Sequence, residues 1–201
     1  MLNNRRISPG LSLIELMLSL AITSIVMAAF VLFSKTYSST ASALSQDIRV
    51  QLQMRSFVER LSYYASHAGY SPLDSSLPAI KSSNPILMSP LVGVGTKVSV
   101  ISLQFVYDFD KNNRETAFYE VENYVRKGRT EKRVILTRMK NNIPWMTDEV
   151  VLMGVKDFTC ANRAVLTNNR AFECFLSVYR DFAPDNETLD YEFTIGTNQT
   201  Y

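Results

Sequence analysis

The 201 residues suffice for one domain of ordinary size with an extension and argue against a second full domain. Lysine and arginine total 21 against 19 aspartates and glutamates, and a net charge of +2 gives no reason to expect a nucleic-acid or other polyanionic partner. An apolar fraction of 46% with 11% aromatic residues excludes a disordered chain.

The first ten residues hold Arg5 and Arg6 and end in the breaker Ser8-Pro9-Gly10, a combination that keeps the segment extended and accessible. An apolar run then extends from Leu11 to Phe33, closed by Lys35, with Glu15 as its only charge. As a helix the run spans about 35 Å, enough to cross a hydrocarbon core of about 30 Å. The positive-inside rule leaves Arg5 and Arg6 in the cytoplasm and sends the remainder across the membrane. A secretory signal peptide, cut near Val26-Met27-Ala28, is the simpler alternative, but such peptides have an apolar region of about 7–15 residues and this one is longer. Glu15 also needs a reason, because an unpaired carboxylate at the centre of a membrane helix costs about 2.5–3.5 kcal/mol. It could snorkel to the membrane edge, about one helical turn from Leu11.

A basic leader ending in Gly10, followed by Leu11-Ser12-Leu13-Ile14-Glu15, resembles the leader of type IV prepilins. The resemblance implies cleavage by a prepilin peptidase between Gly10 and Leu11 and methylation of Leu11, where the family most often has phenylalanine. It also implies that Glu15 is a subunit-assembly contact, its carboxylate meeting the N-terminal amine of a neighbouring subunit. Two opposite charges together in a low dielectric compensate each other, whereas either alone is penalised.

Neither proline nor glycine occurs between Leu11 and Ala68. Apolar residues recur at helical spacing at Tyr37, Ala41, Leu44 and Ile48, then Met54, Val58, Leu61 and Ala65, which predicts one helix to about His67. Its second half is amphipathic and must lie on a sheet. Gly69 supplies the C-cap and Pro72 forbids continuation. The closing Ala68-Gly69-Tyr70 resembles the end of the long helix in minor pilins of the PilW type. His67, the only histidine, reads as a partner for the helix dipole rather than a catalyst or ligand.

Residues 71–95, rich in proline, serine and asparagine, read as a loop. Strands are predicted over 98–109 and 116–125, with Asp110-Lys111-Asn112-Asn113 as the turn of a hairpin. Asp108, Asp110 and Asn112 make a weak calcium candidate: an EF-hand loop would want glycine where Asn113 stands and glutamate where Tyr119 stands. The basic cluster 126–133 reads as a solvated turn before a strand at 134–139, with no aromatic platform beside it for nucleic acid. Residues 141–148 read as a further connection, 150–160 and 171–182 as strands, and 189–195 as an edge strand. Cys160 and Cys174, the only cysteines, lie near the bases of two of these strands; in an exported domain a disulfide is the economical reading. Two thiols cannot by themselves make a structural zinc site.

The expected fold is α+β and type IV pilin-like: a long N-terminal helix packed on a C-terminal antiparallel β-sheet. Residues 1–10 form the leader, 11–34 the transmembrane or filament-core half of the helix, 35–68 its amphipathic half, and 69–201 an extracytoplasmic β-rich domain. One histidine, no glycine-rich phosphate loop and no nucleophile elbow predict a protein without enzymatic activity or cofactor. The resemblance implies a minor pilin of type IV pilus assembly, acting in an initiation or tip complex. It would first sit in the inner membrane, a single pass with its C-terminal domain in the periplasm, and then in a pilus at the cell surface. Its implied partners are other minor pilins, the major pilin, the prepilin peptidase and the inner-membrane assembly platform, with no nucleic acid. A minor pseudopilin of type II secretion and a membrane-anchored binding module are the alternatives.

Overall fold

A computed structural model describes residues 12–72, 74–77, 80, 86–90, 94–126, 128–163, 171–180 and 187–196. It contains helix α1 (Leu13–His67) and strands β1 (Ile86–Ser89), β2 (Lys97–Ser99), β3 (Ser102–Asp110), β4 (Asn113–Arg126), β5 (Arg129–Lys140), β6 (Ile143–Arg163), β7 (Ala171–Tyr179) and β8 (Thr188–Gly196). The chain divides into two units, Met1–Ser45 and Gln46–Tyr201. The arrangement is α+β, as the sequence predicts.

In the first unit the described residues are Ser12 and the first part of α1, unbroken because nothing in its sequence interrupts the hydrogen-bond ladder. The second unit begins within the same helix. There the buried positions are Val50, Met54, Phe57, Leu61, Tyr64 and Ala65, a stripe at spacings of three and four. Phe57 meets Tyr119 and Phe158 edge-on, with centroids 6.0 and 5.8 Å apart, and Tyr64 packs against Phe105 and Tyr107. The predicted stripe was set too early. Tyr37, Leu44 and Ile48 are exposed, and the aromatic anchors Phe57 and Tyr64 carry the packing instead.

The strands form one antiparallel sheet in the order β1-β3-β4-β5-β6-β7-β8. β6 is 21 residues long and changes partners along its length. Its first part pairs with β5 up to Val155, and its last part pairs with β7 from Val155 to Arg163. Where β5 has ended, β2 takes the vacated edge, Val98 lying opposite Cys160. The stretch predicted as one strand over 98–109 is therefore two, β2 and β3. At the break, Val100 N donates to Phe158 O and Val121 N to Ile101 O, so the crossing backbone stays satisfied.

Three further segments differ from expectation. The 71–95 loop contains β1, whose four residues add to the edge of β3. In the basic cluster, Arg126 closes β4 and Arg129, Lys132 and Arg133 belong to β5, so these cations lie on strands rather than in a solvated turn. Residues 141–148 are not a connection: Asn141 and Asn142 alone make the turn, with φ of 51° and 65°, and β6 starts at Ile143. Positive φ at both central residues is the geometry of a type I′ hairpin turn, and asparagine tolerates it. The edge strand expected near 189–195 is β8, while the end of the 171–182 strand comes at Tyr179.

The helix ends as its sequence demands. Gly69 takes a φ of 84°, and its N–H donates to Val106 O at 2.8 Å while Asp108 N donates to Tyr70 O at 2.8 Å. The Gly69-Tyr70 step thus ties the helix C-terminus to β3. His67 Nδ1 donates to the carbonyl of Tyr63 at 2.8 Å in the last turn.

Candidate functional site

The start of α1 is built by Ser12 and Glu15. Ser12 N donates to Glu15 Oε2 at 2.9 Å and Glu15 N donates to Ser12 Oγ at 3.3 Å, a reciprocal capping box that satisfies two of the free amides of the first turn. The spacing Ser-x-x-Glu before an apolar run is its sequence signature, and it adds capping to the roles of assembly contact and snorkelling acid expected of Glu15. A carboxylate has about four acceptor positions, so capping leaves Glu15 capacity for a further donor. Gly10 and Leu11, the residues of the expected cleavage and methylation, lie outside the described residues.

Behind the cap the helix is apolar on every side. From Leu13 to Leu44 all the side chains are exposed within the chain, and the most apolar 18-residue window has a mean hydropathy of 2.5. A helix of this kind needs lipid or other helices around it. Its few hydroxyls are compatible with both. Ser19 Oγ donates to Leu16 O at 2.9 Å, Thr23 Oγ1 to Ser19 O at 2.7 Å and Ser24 Oγ to Ala21 O at 2.8 Å. These three hydroxyls are the ones between Leu13 and Phe33, and each of their protons is satisfied by the helix's own backbone, so none of the three is left bare in hydrocarbon.

In the second unit Cys160 and Cys174 are bonded and lie directly opposite each other on β6 and β7, with Cα atoms 4.1 Å apart. Both are buried, so the bond locks this strand pair within the core. The weak calcium candidate resolves into turn and ion-pair chemistry. Asp108 is fully buried and accepts from Arg114 Nε at 2.7 Å and Ser71 Oγ at 2.6 Å. Asp110 accepts from Asn113 Nδ2 at 2.6 Å and Asn112 N at 2.8 Å, and these bonds hold its carboxyl below the usual range. Asn112 Oδ1 accepts from Ser76 Oγ. No group of three or more cysteine, histidine, aspartate or glutamate side chains suited to a metal occurs among the described residues.

The basic residues on β5 are paired with acids, one beside them in sequence and two on neighbouring strands. Arg129 Nε lies 2.8 Å from buried Glu131, which also accepts from Tyr124 Oη at 2.7 Å. Arg133 bonds Glu122 on β4, and Lys132 lies 3.9 Å from Asp157 on β6. Where α1 crosses β5 and β6, Arg60 Nη1 donates to Glu149 Oε1 at 2.8 Å, and this bond raises the arginine's pKa. Arg138 pairs with Glu115 and lies over the rings of Trp145 and Tyr64. Tyr107 and Tyr119 are pushed far above the ordinary phenol range by burial.

Residues 5–31 match the family described as the prokaryotic N-terminal methylation motif. That interval takes in Arg5, Arg6, Gly10, Leu11 and Glu15 and most of the apolar run. No curated protein and no solved structure matches the chain.

Proposed function

We propose that this type IV pilin-like, membrane-anchored chain is a minor pilin of the PilW type, a subunit of the initiation or tip complex in type IV pilus assembly. The methylation motif and the apolar helix are common to pilus and pseudopilus subunits. The observation that carries the finer reading is the helix ending Ala68-Gly69-Tyr70, a PilW-type feature that here fastens the helix to β3.

In this reading a prepilin peptidase cuts between Gly10 and Leu11 and methylates Leu11. The domain beyond the membrane lies in the periplasm until the assembly platform inserts the subunit among other minor pilins and the major pilin. Glu15 keeps its helix capped in the membrane and takes up a neighbour's N-terminal amine in the filament, two roles that one carboxylate can fill together. The chain carries out no catalysis and holds no cofactor.

Two measurements test this. The mature N-terminus, sequenced by mass spectrometry, is expected at a methylated Leu11; a start near Ala28 would remove the filament role altogether. Gene deletion is expected to abolish piliation and twitching while exoprotein secretion continues. Loss of secretion with normal piliation would assign the chain to a type II secretion pseudopilus instead. Glu15→Ala is expected to leave the protein in the membrane and out of the filament.

A further inference from the structure

The sheet order ends in β1 at one side and β8 at the other. Edge strands are ordinarily blunted by shortness, charge, proline or a cover, because their unpaired N–H and C=O groups invite another chain. β1 has four residues, whereas β8 has nine and no proline, and its only charges are the acids Asp190 and Glu192. The free groups of β8 follow from its register. Arg180 N donates to Glu187 O just before the pair Tyr179 and Thr188, and in an antiparallel ladder hydrogen-bonded pairs alternate with open ones. The bonds to β7 therefore come from Leu189, Tyr191, Phe193 and Ile195. The backbone groups of Asp190, Glu192 and Thr194 point away from the sheet, with no partner among the described residues.

The two faces of this edge differ, and the difference selects the partner. Between α1 and β8 lies a groove of about 580 Å³, lined by Met54, Val58, Leu189 and Tyr191 among others, and its helix charges, Arg55 and Glu59, are paired with each other. Tyr191, 43% exposed, leaves apolar surface there for a further side chain. Alternation along the strand puts the side chains of Asp190 and Glu192 on the opposite face. Asp190 Oδ1 accepts from Ser177 Oγ at 2.6 Å, and neither acid has an ion-pair partner among the described residues. Lys97, which shares a hollow with Glu192, lies instead over the ring of Phe175 at 4.5 Å.

We propose that β8 docks an extended segment of another protein, which adds to the sheet as a further strand with apolar side chains in the groove and basic ones beside Asp190 and Glu192. In strand addition, main-chain bonds give affinity and alternate side chains give specificity. A segment alternating apolar and basic residues meets both faces at once, whereas an acidic one, a second β8 included, would set like charges opposite each other. A helix does not fit the edge, because its backbone groups are already bonded to one another. The docking site is the same whether the chain works in a pilus or a pseudopilus.

The test uses the full-length protein in a zwitterionic detergent and a labelled peptide of alternating valine and lysine, as long as β8, with fluorescence anisotropy read against empty micelles. A Kd on the order of 100 μM or tighter is expected. Hydrogen exchange at the amides of Asp190, Glu192 and Thr194 is expected to slow by about tenfold when the peptide binds. Three control peptides are expected to bind at least about tenfold more weakly: the same composition with its valines in one block, valine alternating with glutamate, and the alternating peptide N-methylated on every backbone amide. Thr194→Pro removes an outward N–H and no bond to β7, and is expected to abolish binding without lowering Tm. Glu192→Lys is expected to weaken binding by about tenfold and serves if the proline variant folds poorly. Absence of binding up to about 1 mM peptide, equal binding by the blocked or methylated peptide, or protection elsewhere than on β8 would overturn the proposal. Self-association that Thr194→Pro abolishes, without binding of the peptide, would overturn it too and assign the edge to a second copy of the chain.

Discussion

Residues 13–45 and residues 46–67 belong to one uninterrupted helix, yet they obey different rules. The first part is apolar around its whole circumference from Leu16 to Phe33 and buries nothing within the chain along its entire length. The second confines its apolar residues to a stripe and buries six of them, Val50, Met54, Phe57, Leu61, Tyr64 and Ala65. Helix formation itself requires the same of both, an absence of glycine and proline and good propensity. The difference lies in the partner. A one-sided stripe specifies a sheet of the same chain, whereas an all-round apolar surface specifies surroundings that other molecules must supply.

Paired substitutions of one residue type put the largest strain on that comparison. Phe57→Ala removes a ring fully enclosed by Tyr119 and Phe158 and is expected to destabilise the second unit by about 3–5 kcal/mol. Phe33→Ala removes one that is exposed in the chain, and the same denaturant melt is expected to move by less than about 0.5 kcal/mol. Equal effects would mean that the first half also contributes to the fold of the second. Next in size is reduction of the Cys160–Cys174 bond, which closes a loop of separation 14. It is expected to cost about 3 kcal/mol, read as a fall in Tm with dithiothreitol and absent from a Cys160→Ala, Cys174→Ala variant.

Alkaline pH probes the second unit alone. Burial raises the folded-state pKa values of Tyr107 and Tyr119 above their ordinary value of 10.0. Their contribution is therefore intact below pH 10 and is lost as pH rises, by about 1.4 kcal/mol for each tyrosine and each pH unit. Phenolate absorbance from these two rings is expected to appear only together with loss of β-sheet circular dichroism. Ionisation with the sheet intact would contradict their burial. The smallest expected effect is at the junction of helix and sheet: Gly69→Ala at a φ of 84° should cost about 1 kcal/mol of thermal stability.

What could be read from the sequence was what depends on near neighbours. The leader, the helix, its end at Gly69 and the β3–β4 hairpin turn all depend on residues a few positions apart. The basic cluster reads as a solvated turn because Glu122 and Asp157, the acids that pair with Arg133 and Lys132, sit on adjacent strands and not beside them in sequence. Trp145 follows a proline and an asparagine pair, signs of a loop, while its place in β6 comes from the pairing of its neighbours Pro144 and Met146 with Met139 and Arg138 of β5. The break between β2 and β3 was hidden for a similar reason: a run of β-forming residues does not say where it changes partner. The Ser12–Glu15 cap, by contrast, is fully legible, because Ser-x-x-Glu is a local signature.

The back-bonded hydroxyls of Ser19, Thr23 and Ser24 have a consequence for how such a helix can change surroundings. Because each already donates within its own turn, transfer of the helix from hydrocarbon to a bundle of like helices requires no hydroxyl donor to find a replacement partner. For these groups the exchange is one set of dispersion contacts for another of similar strength. They add little barrier in either direction, which leaves the choice between bilayer and bundle to the other groups of the segment, Glu15 first among them.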